Sequence, residues 1–211
     1  MKLKIKICGM RDPVNILKVS ELKPDIMGFI FYRFSQRYAG EMIDENILLQ
    51  MPSSVSKAGV FVNEDEELIT ATIRKYSLDI VQLHGYETPS LCHSLKEKGI
   101  MVIKAFSMSR DNPFRQCNEY SSITDYFLFD APGSGNGGSG KHFNWKILEE
   151  YNLDKPFFLS GGISPDDIDK ISEIKNPALF GIDINSRFEI MPGIKDTELI
   201  RNFIDSFRKK D

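Results

Sequence analysis

The chain has 211 residues, 41% of them hydrophobic, which matches one α/β barrel domain and supplies enough apolar material for one large core. Twenty-seven Lys and Arg against thirty Asp and Glu give a formal charge of -3 with no long basic run, which argues against a nucleic-acid partner. The N-terminal MKLKIKIC lacks the longer apolar stretch of a secretory leader, and no segment approaches the roughly 20 apolar residues of a membrane span. The expectation is a soluble, cytoplasmic protein with no membrane partner. Three cysteines, Cys8, Cys92 and Cys117, form no CxxC pair, which argues for free thiols and against a disulfide framework or a zinc site.

In chain order, strand-like apolar runs fall at 3–7, 26–31, 57–62, 79–84, 100–106, 125–130, 156–160 and 179–184. Amphipathic, charged stretches between and after them predict helices at 13–22, 42–50, 65–76, 88–98, 112–120, 143–150, 165–173 and 195–208. Helix starts are signalled by Asp12-Pro13, Thr88-Pro89 and Ser164-Pro165, a cap residue followed by proline at the first helical position. Eight strand–helix repeats in this length favour a single closed (β/α)8 TIM barrel of parallel strands over residues 1–211, rather than a doubly wound open sheet. The absence of a GxGxxG after the first strand weakens the open-sheet alternative further.

In such a barrel the reactive groups belong where strands end in loops. Cys8 in IKICGM and Asp130 in YFLFDAPG both stand there, and the pair suggests an acid–base site. The glycine-rich 131–141 reads as a mobile loop over the same face, with a flexible linker as the plainer alternative. Gly161 and Gly162 after the seventh strand, with Ser186 after the eighth, read as backbone donors for one phosphate, because those loops frequently form such a site. No matching glycine pair follows strands three or four, so a second phosphate is not expected.

Arg37 lies in the loop after strand two, where it could hold a carboxylate by a bidentate pair or simply be a solvated loop charge. Gln82 and His84 share one face of strand four and point into the barrel if the alternation holds; a satisfied core histidine is the plainer reading of His84. His93 and His142 have no ligand-like spacing, and no metal site is expected. Lys6 shares the parity of Cys8, and Asp183 lies on the last strand. Closure of a barrel would bring the two together as an interior ion pair.

Eight strings in register carry a resemblance: KICGM at 6–10, SQRY at 35–38, GVFVN at 59–63, VQLHG at 81–85, FDAPG with GGSGKHFNW to 145, LSGGISP at 159–165, GIDINSRFE from 181 and MPGIKD to 196. Together they resemble the phosphoribosylanthranilate isomerases of tryptophan biosynthesis. The resemblance implies a (β/α)8 barrel that carries out an Amadori rearrangement of N-(5-phosphoribosyl)anthranilate without cofactor or metal. It matches Cys8 to the general base and Asp130 to the general acid, gives Arg37 the anthranilate carboxylate, and gives Gly161, Gly162 and Ser186 the ribose phosphate. Gln82 and His84 would line the anthranilate end. The partner is therefore a small phosphorylated substrate, and the expected assembly is a monomer or a homodimer.

The chain departs from the family at Met10-Arg11, where ICGIT is frequent, and at Arg187, where DVSSGVE has a glycine. A residue in a first helical turn needs no glycine φ, so the Arg187 side chain is expected to leave toward solvent while backbone donors face the phosphate. Two other readings stay open. A related sugar isomerase of histidine biosynthesis would want aspartate at position 8 and a second phosphate motif, and a non-catalytic phosphate-binding barrel would dispense with one of the two reactive groups.

Overall fold

A computed structural model describes residues 2–40, 42–108, 114–132 and 143–210. In chain order the first half contains β1 (Lys4–Ile7), α1 (Pro13–Ser20), β2 (Ile26–Ile30), α2 (Glu45–Leu49), β3 (Ser56–Phe61), α3 (Glu66–Tyr76), β4 (Ile80–Leu83) and α4 (Pro89–Glu97). The second half contains β5 (Met101–Ser107), α5 (Cys117–Tyr120), β6 (Tyr126–Asp130), β7 (Phe157–Leu159), α6 (Ile168–Ser172), β8 (Leu179–Ile184) and α7 (Thr197–Lys210). Strands β1 to β8 pair in parallel, in order, and β8 returns to β1, closing the expected barrel.

The cap signals act as expected. Asp12 accepts from the Asn15 N–H and Thr88 from the Leu91 N–H, while Asp167 reaches back to accept from both the backbone N–H and the hydroxyl of Ser164. Several helices are shorter than the sequence suggested. The 42–50 stretch is helical only over Glu45–Leu49, because Asp44 caps it by accepting from the Asn46 N–H. Residues Trp145–Glu150 and Pro165–Asp167 form tight 3-10 turns, and the fifth helix occupies only Cys117–Tyr120 among the described residues. The last helix begins two residues late because residues before it form a hairpin, β9 (Glu189–Met191) and β10 (Ile194–Lys195), turned at Pro192-Gly193.

A repeated device sets the register of the strands. Asp25, Asp79 and Asp125, each just before an even-numbered strand, accept the N–H of Ile5, Lys57 and Val102, and their own N–H groups donate back to the same three carbonyls. Each clasp locks an odd strand to its successor at the end of the barrel opposite the loops that carry Cys8 and Asp130.

Two apolar layers follow from strand alternation. The larger lies between sheet and helices; the smaller fills the barrel interior with Ile26, Ala58, Ile80, Ile103, Ala105, Leu128 and Phe158. Tyr126, Phe158 and Phe180 pack edge-on or tilted against one another, ring centres 4.6 to 5.6 Å apart, and plug this interior from below. Above the plug the interior turns polar. There Lys6 and Asp183, partners across the β1–β8 seam, pair at 3.0 Å with the lysine fully buried, as their parity predicted.

Candidate active site

Cys8 follows β1 directly, and its N–H donates to the Ile184 carbonyl, which fixes it against the end of β8. The thiol needs Gly28 opposite: a Cβ there would lie 2.8 Å from Cys8 Sγ and 3.2 Å from Lys6 Nζ, so both groups occupy the space that a side chain on β2 would take. Burial alone would lower Lys6, but Asp183 and then Cys8 outweigh it and hold the ammonium above its ordinary value. Burial pushes the Cys8 thiol up; Lys6 and Lys195 pull it back only part of the way, and Asp183 adds to the rise. Cys92 and Cys117 are buried free thiols, driven by burial to about 11 and about 12.

Asp130 ends β6. Its Oδ1 accepts from the Ala131 N–H at 3.0 Å, and Oδ2 lies 3.2 Å from His84 Nε2. The other imidazole nitrogen lies 2.8 Å from Gln82 Nε2, so Gln82, His84 and Asp130 form one chain across the barrel mouth. Gln82 is 1% exposed, and its Oε1 is buried with no hydrogen-bond partner among the described residues. With the amide as it stands, Gln82 donates to Nδ1 and the imidazole donates from Nε2 to the Asp130 carboxylate. With the amide turned over, Nδ1–H donates to Oε1 and Nε2 accepts from a protonated Asp130. The heavy-atom positions accommodate both directions. The loop bearing His84 is held from behind by Lys104, which bonds to Glu87 at 3.0 Å and to the Gly85 carbonyl at 2.8 Å, while Glu87 accepts from the Gly85 and Asn63 N–H groups.

The glycine loops come to the same face. Gly161 has φ +91, and a Cβ on it would lie 2.3 Å from the Ala131 nitrogen, so only glycine lets the loop after β7 press against the residue following Asp130. Gly162 also has positive φ, and the 3-10 turn Ser186–Phe188 follows β8, with Ser186 half-buried and Arg187 exposed. Most of the glycine-rich stretch, 133–142, and with it His142, lies outside the described residues. His93 is exposed on α4, and no group of three or more His, Cys, Asp or Glu among the described residues could hold a metal ion. No helix among them is long and apolar enough to cross a membrane.

Arg37 is neither solvated nor open on every side. Its Nε and Nη2 grip Glu189 at 2.7 to 3.1 Å, with the arginine side chain 12% and the glutamate 4% exposed. Glu189 Oε1 also accepts from Lys195 Nζ at 2.7 Å and from the Gly193 N–H. Sequence reasoning missed Glu189 and Lys195. The predicted last helix took in Lys195, and the Pro192-Gly193 turn is the one local signal of the hairpin.

A family model described as N-(5'phosphoribosyl)anthranilate (PRA) isomerase matches residues 5–206. The chain belongs to that family. An N-(5'-phosphoribosyl)anthranilate isomerase of Parabacteroides distasonis is 44% identical over 201 residues, 95% of this chain and 91% of the relative. The crystal structure of phosphoribosyl anthranilate isomerase from Thermotoga maritima superposes with a TM-score of 0.84 at 32% identity, covering 98% of this chain and 99% of that one. A further crystal structure of a phosphoribosyl anthranilate isomerase, in complex with reduced 1-(o-carboxyphenylamino)-1-deoxyribulose 5-phosphate, superposes with a TM-score of 0.82 at 31% identity and the same coverage. Family membership selects the isomerase of tryptophan biosynthesis over the histidine-pathway reading.

Proposed function

We propose that this chain converts N-(5'-phosphoribosyl)anthranilate to 1-(o-carboxyphenylamino)-1-deoxyribulose 5-phosphate, with Asp130 as general acid and Cys8 as general base. The observation that carries the assignment is geometric: Cys8, held against the end of β8, and Asp130, at the end of β6 beside His84, stand at the same mouth of one closed barrel. The acid and the base thus flank a common space.

The chemistry follows from the two groups. Asp130 delivers its proton to the furanose ring oxygen as the C1–O bond breaks, and the anilino nitrogen supplies the electron pair that forms the Schiff base. The cationic Schiff base acidifies the C2 proton, which Cys8 removes, and the electron pair moves to give the enolamine. Ketonisation transfers a proton from the C2 hydroxyl to C1, which leaves the thiol and the carboxyl both protonated as at the start. Because the buried thiol sits above its ordinary value, Cys8 first gives its proton to the carboxylate that ring opening leaves on Asp130, and the thiolate so formed is the base that removes the C2 proton. Asp130 Oδ2 lies 3.2 Å from the His84 imidazole, which Gln82 holds in turn, so the acid has a fixed polar partner at the mouth of the barrel.

Gly161, Gly162 and Ser186 would receive the phosphate, and Arg37 the anthranilate carboxylate. Gln82 is too buried to line the anthranilate end and acts through His84, which is about a third exposed at the mouth. The test is turnover of phosphoribosylanthranilate formed in situ. Cys8→Ala and Asp130→Asn should each lower it by about 10²–10⁴ fold with the fold intact by circular dichroism. Near-normal turnover in either variant sinks the assignment.

A further inference from the structure

An arginine that must recognise an anion is poorly served by a bidentate carboxylate of its own, because the incoming carboxylate then meets a neutral pair with a like charge just behind it. Arg37 is in that position: Glu189 occupies its Nε and Nη2, leaving Nη1 outside the clamp. The structure holds a second cation on the far side of Glu189. Lys195 Nζ, with a side chain 0% exposed, bonds to Glu189 Oε1 at 2.7 Å and to Asn185 Oδ1 at 2.6 Å.

The hairpin that carries both residues is fastened to the barrel. Asn15 on α1 donates to the Lys195 carbonyl at 2.8 Å and accepts from its N–H at 2.8 Å, and Glu189 and Lys195 are register partners in β9 and β10. A fully buried ammonium is costly to keep unless it is paired, and Glu189 and Asn185 are the partners that hold this one.

We propose that Glu189 and Lys195 are positioning residues for substrate specificity: Glu189 fixes the guanidinium of Arg37 in orientation, and Lys195 cancels the charge of Glu189 so that the cluster keeps one net positive charge for a carboxylate on the aromatic ring. This rests on Arg37 as the carboxylate receptor. Two cations and one carboxylate leave a single positive charge; without the lysine the cluster is neutral. Burial, against the pull of Glu189, lowers Lys195 to about 8. The groups facing it are Glu189 on its own hairpin, Arg37 after β2, Cys8 after β1 and the neutral Asn185 after β8, with Arg11 beyond Gly193. The cluster therefore loses its net charge as pH rises through about 8, and carboxylate recognition weakens on the alkaline side.

The experiment compares two competitive inhibitors: the reduced product analogue with its ring carboxylate, and the same molecule with a plain phenyl ring. The readout is the ratio of their inhibition constants, which cancels the shared phosphate and sugar. For the unaltered protein the preference for the carboxylated analogue should fall by about tenfold between pH 7 and pH 9.5. In Lys195→Met that preference should already be about tenfold weaker at pH 7 and flat with pH. An Arg37→Ala variant that keeps the full preference overturns the reading of Arg37. If Arg37→Ala loses the preference but Lys195→Met keeps it at every pH, Arg37 stands and this proposal fails. Should Lys195→Met not fold, Lys195→Gln, which keeps a donor toward Glu189 without the charge, takes its place: an undiminished preference for the carboxylated analogue in that variant overturns the proposal.

Discussion

At the scale of the residue, burial does most of the tuning. Cys8 is surrounded by charges of both signs, yet removal from water dominates and lifts the thiol despite Lys6 beside it. The sign of the consequence is definite. A thiol raised above its ordinary value is protonated throughout the neutral range, and its thiolate appears only as pH climbs past that value. The difference in thiolate ultraviolet absorbance between the unaltered protein and Cys8→Ala should therefore have its midpoint above 9.0. A midpoint below that value would mean a thiolate preformed in the resting enzyme, and proton transfer coupled to the substrate would be the wrong description.

At the scale of the element, short turns do the positioning that long helices do not. The 3-10 turn Ser186–Phe188 is anchored by Phe188, which is buried and packs against Phe203 of α7 at 4.9 Å between ring centres. That anchor sets the backbone of the turn, so the family's glycine is dispensable at the next position back and an exposed arginine is tolerated. Arg187→Gly should change KM by less than about tenfold, the equivalent of about 1.4 kcal/mol. A larger rise in KM would mean that the guanidinium itself carries the phosphate. The strand clasps made by Asp25, Asp79 and Asp125 work at the same scale. They were legible as a recurring aspartate before an apolar run, in PDIM, LDIV and TDYF, but their partners were not, because a backbone N–H on the preceding strand leaves no mark on the sequence.

At the scale of the whole molecule, the barrel is closed at the β1–β8 seam with an ion pair inside it. Lys6 and Asp183 are hydrogen-bonded at 3.0 Å in a space with little access to water, so removing one leaves a buried charge without its partner. Lys6→Met should lower unfolding stability in urea by about 3–5 kcal/mol, and the double change Lys6→Met with Asp183→Leu should restore much of the loss. A loss below about 1 kcal/mol in the single variant would mean that water or a rearranged neighbour reaches Asp183, and that closure does not depend on the pair.

The sequence by itself pointed to the barrel, because the alternation of apolar runs with amphipathic stretches repeats eight times and a closed parallel sheet pairs every strand on both edges. It also determined which residues stand at the strand ends, since Cys8, His84 and Asp130 follow from strand parity and position alone. Parity was enough even for Lys6 and Asp183. What the tertiary structure decided were contacts between segments far apart in the chain. Arg37 and Glu189 are 152 residues apart, so nothing local marks the arginine as clamped rather than solvated. The hairpin carrying Glu189 and Lys195 was hidden for a related reason: two strands of three and two residues are too short for a periodic signal, and their stability comes from Asn15 on the first helix. Proton placement along Gln82, His84 and Asp130 likewise depends on distances between strands four and six, which only closure of the barrel sets.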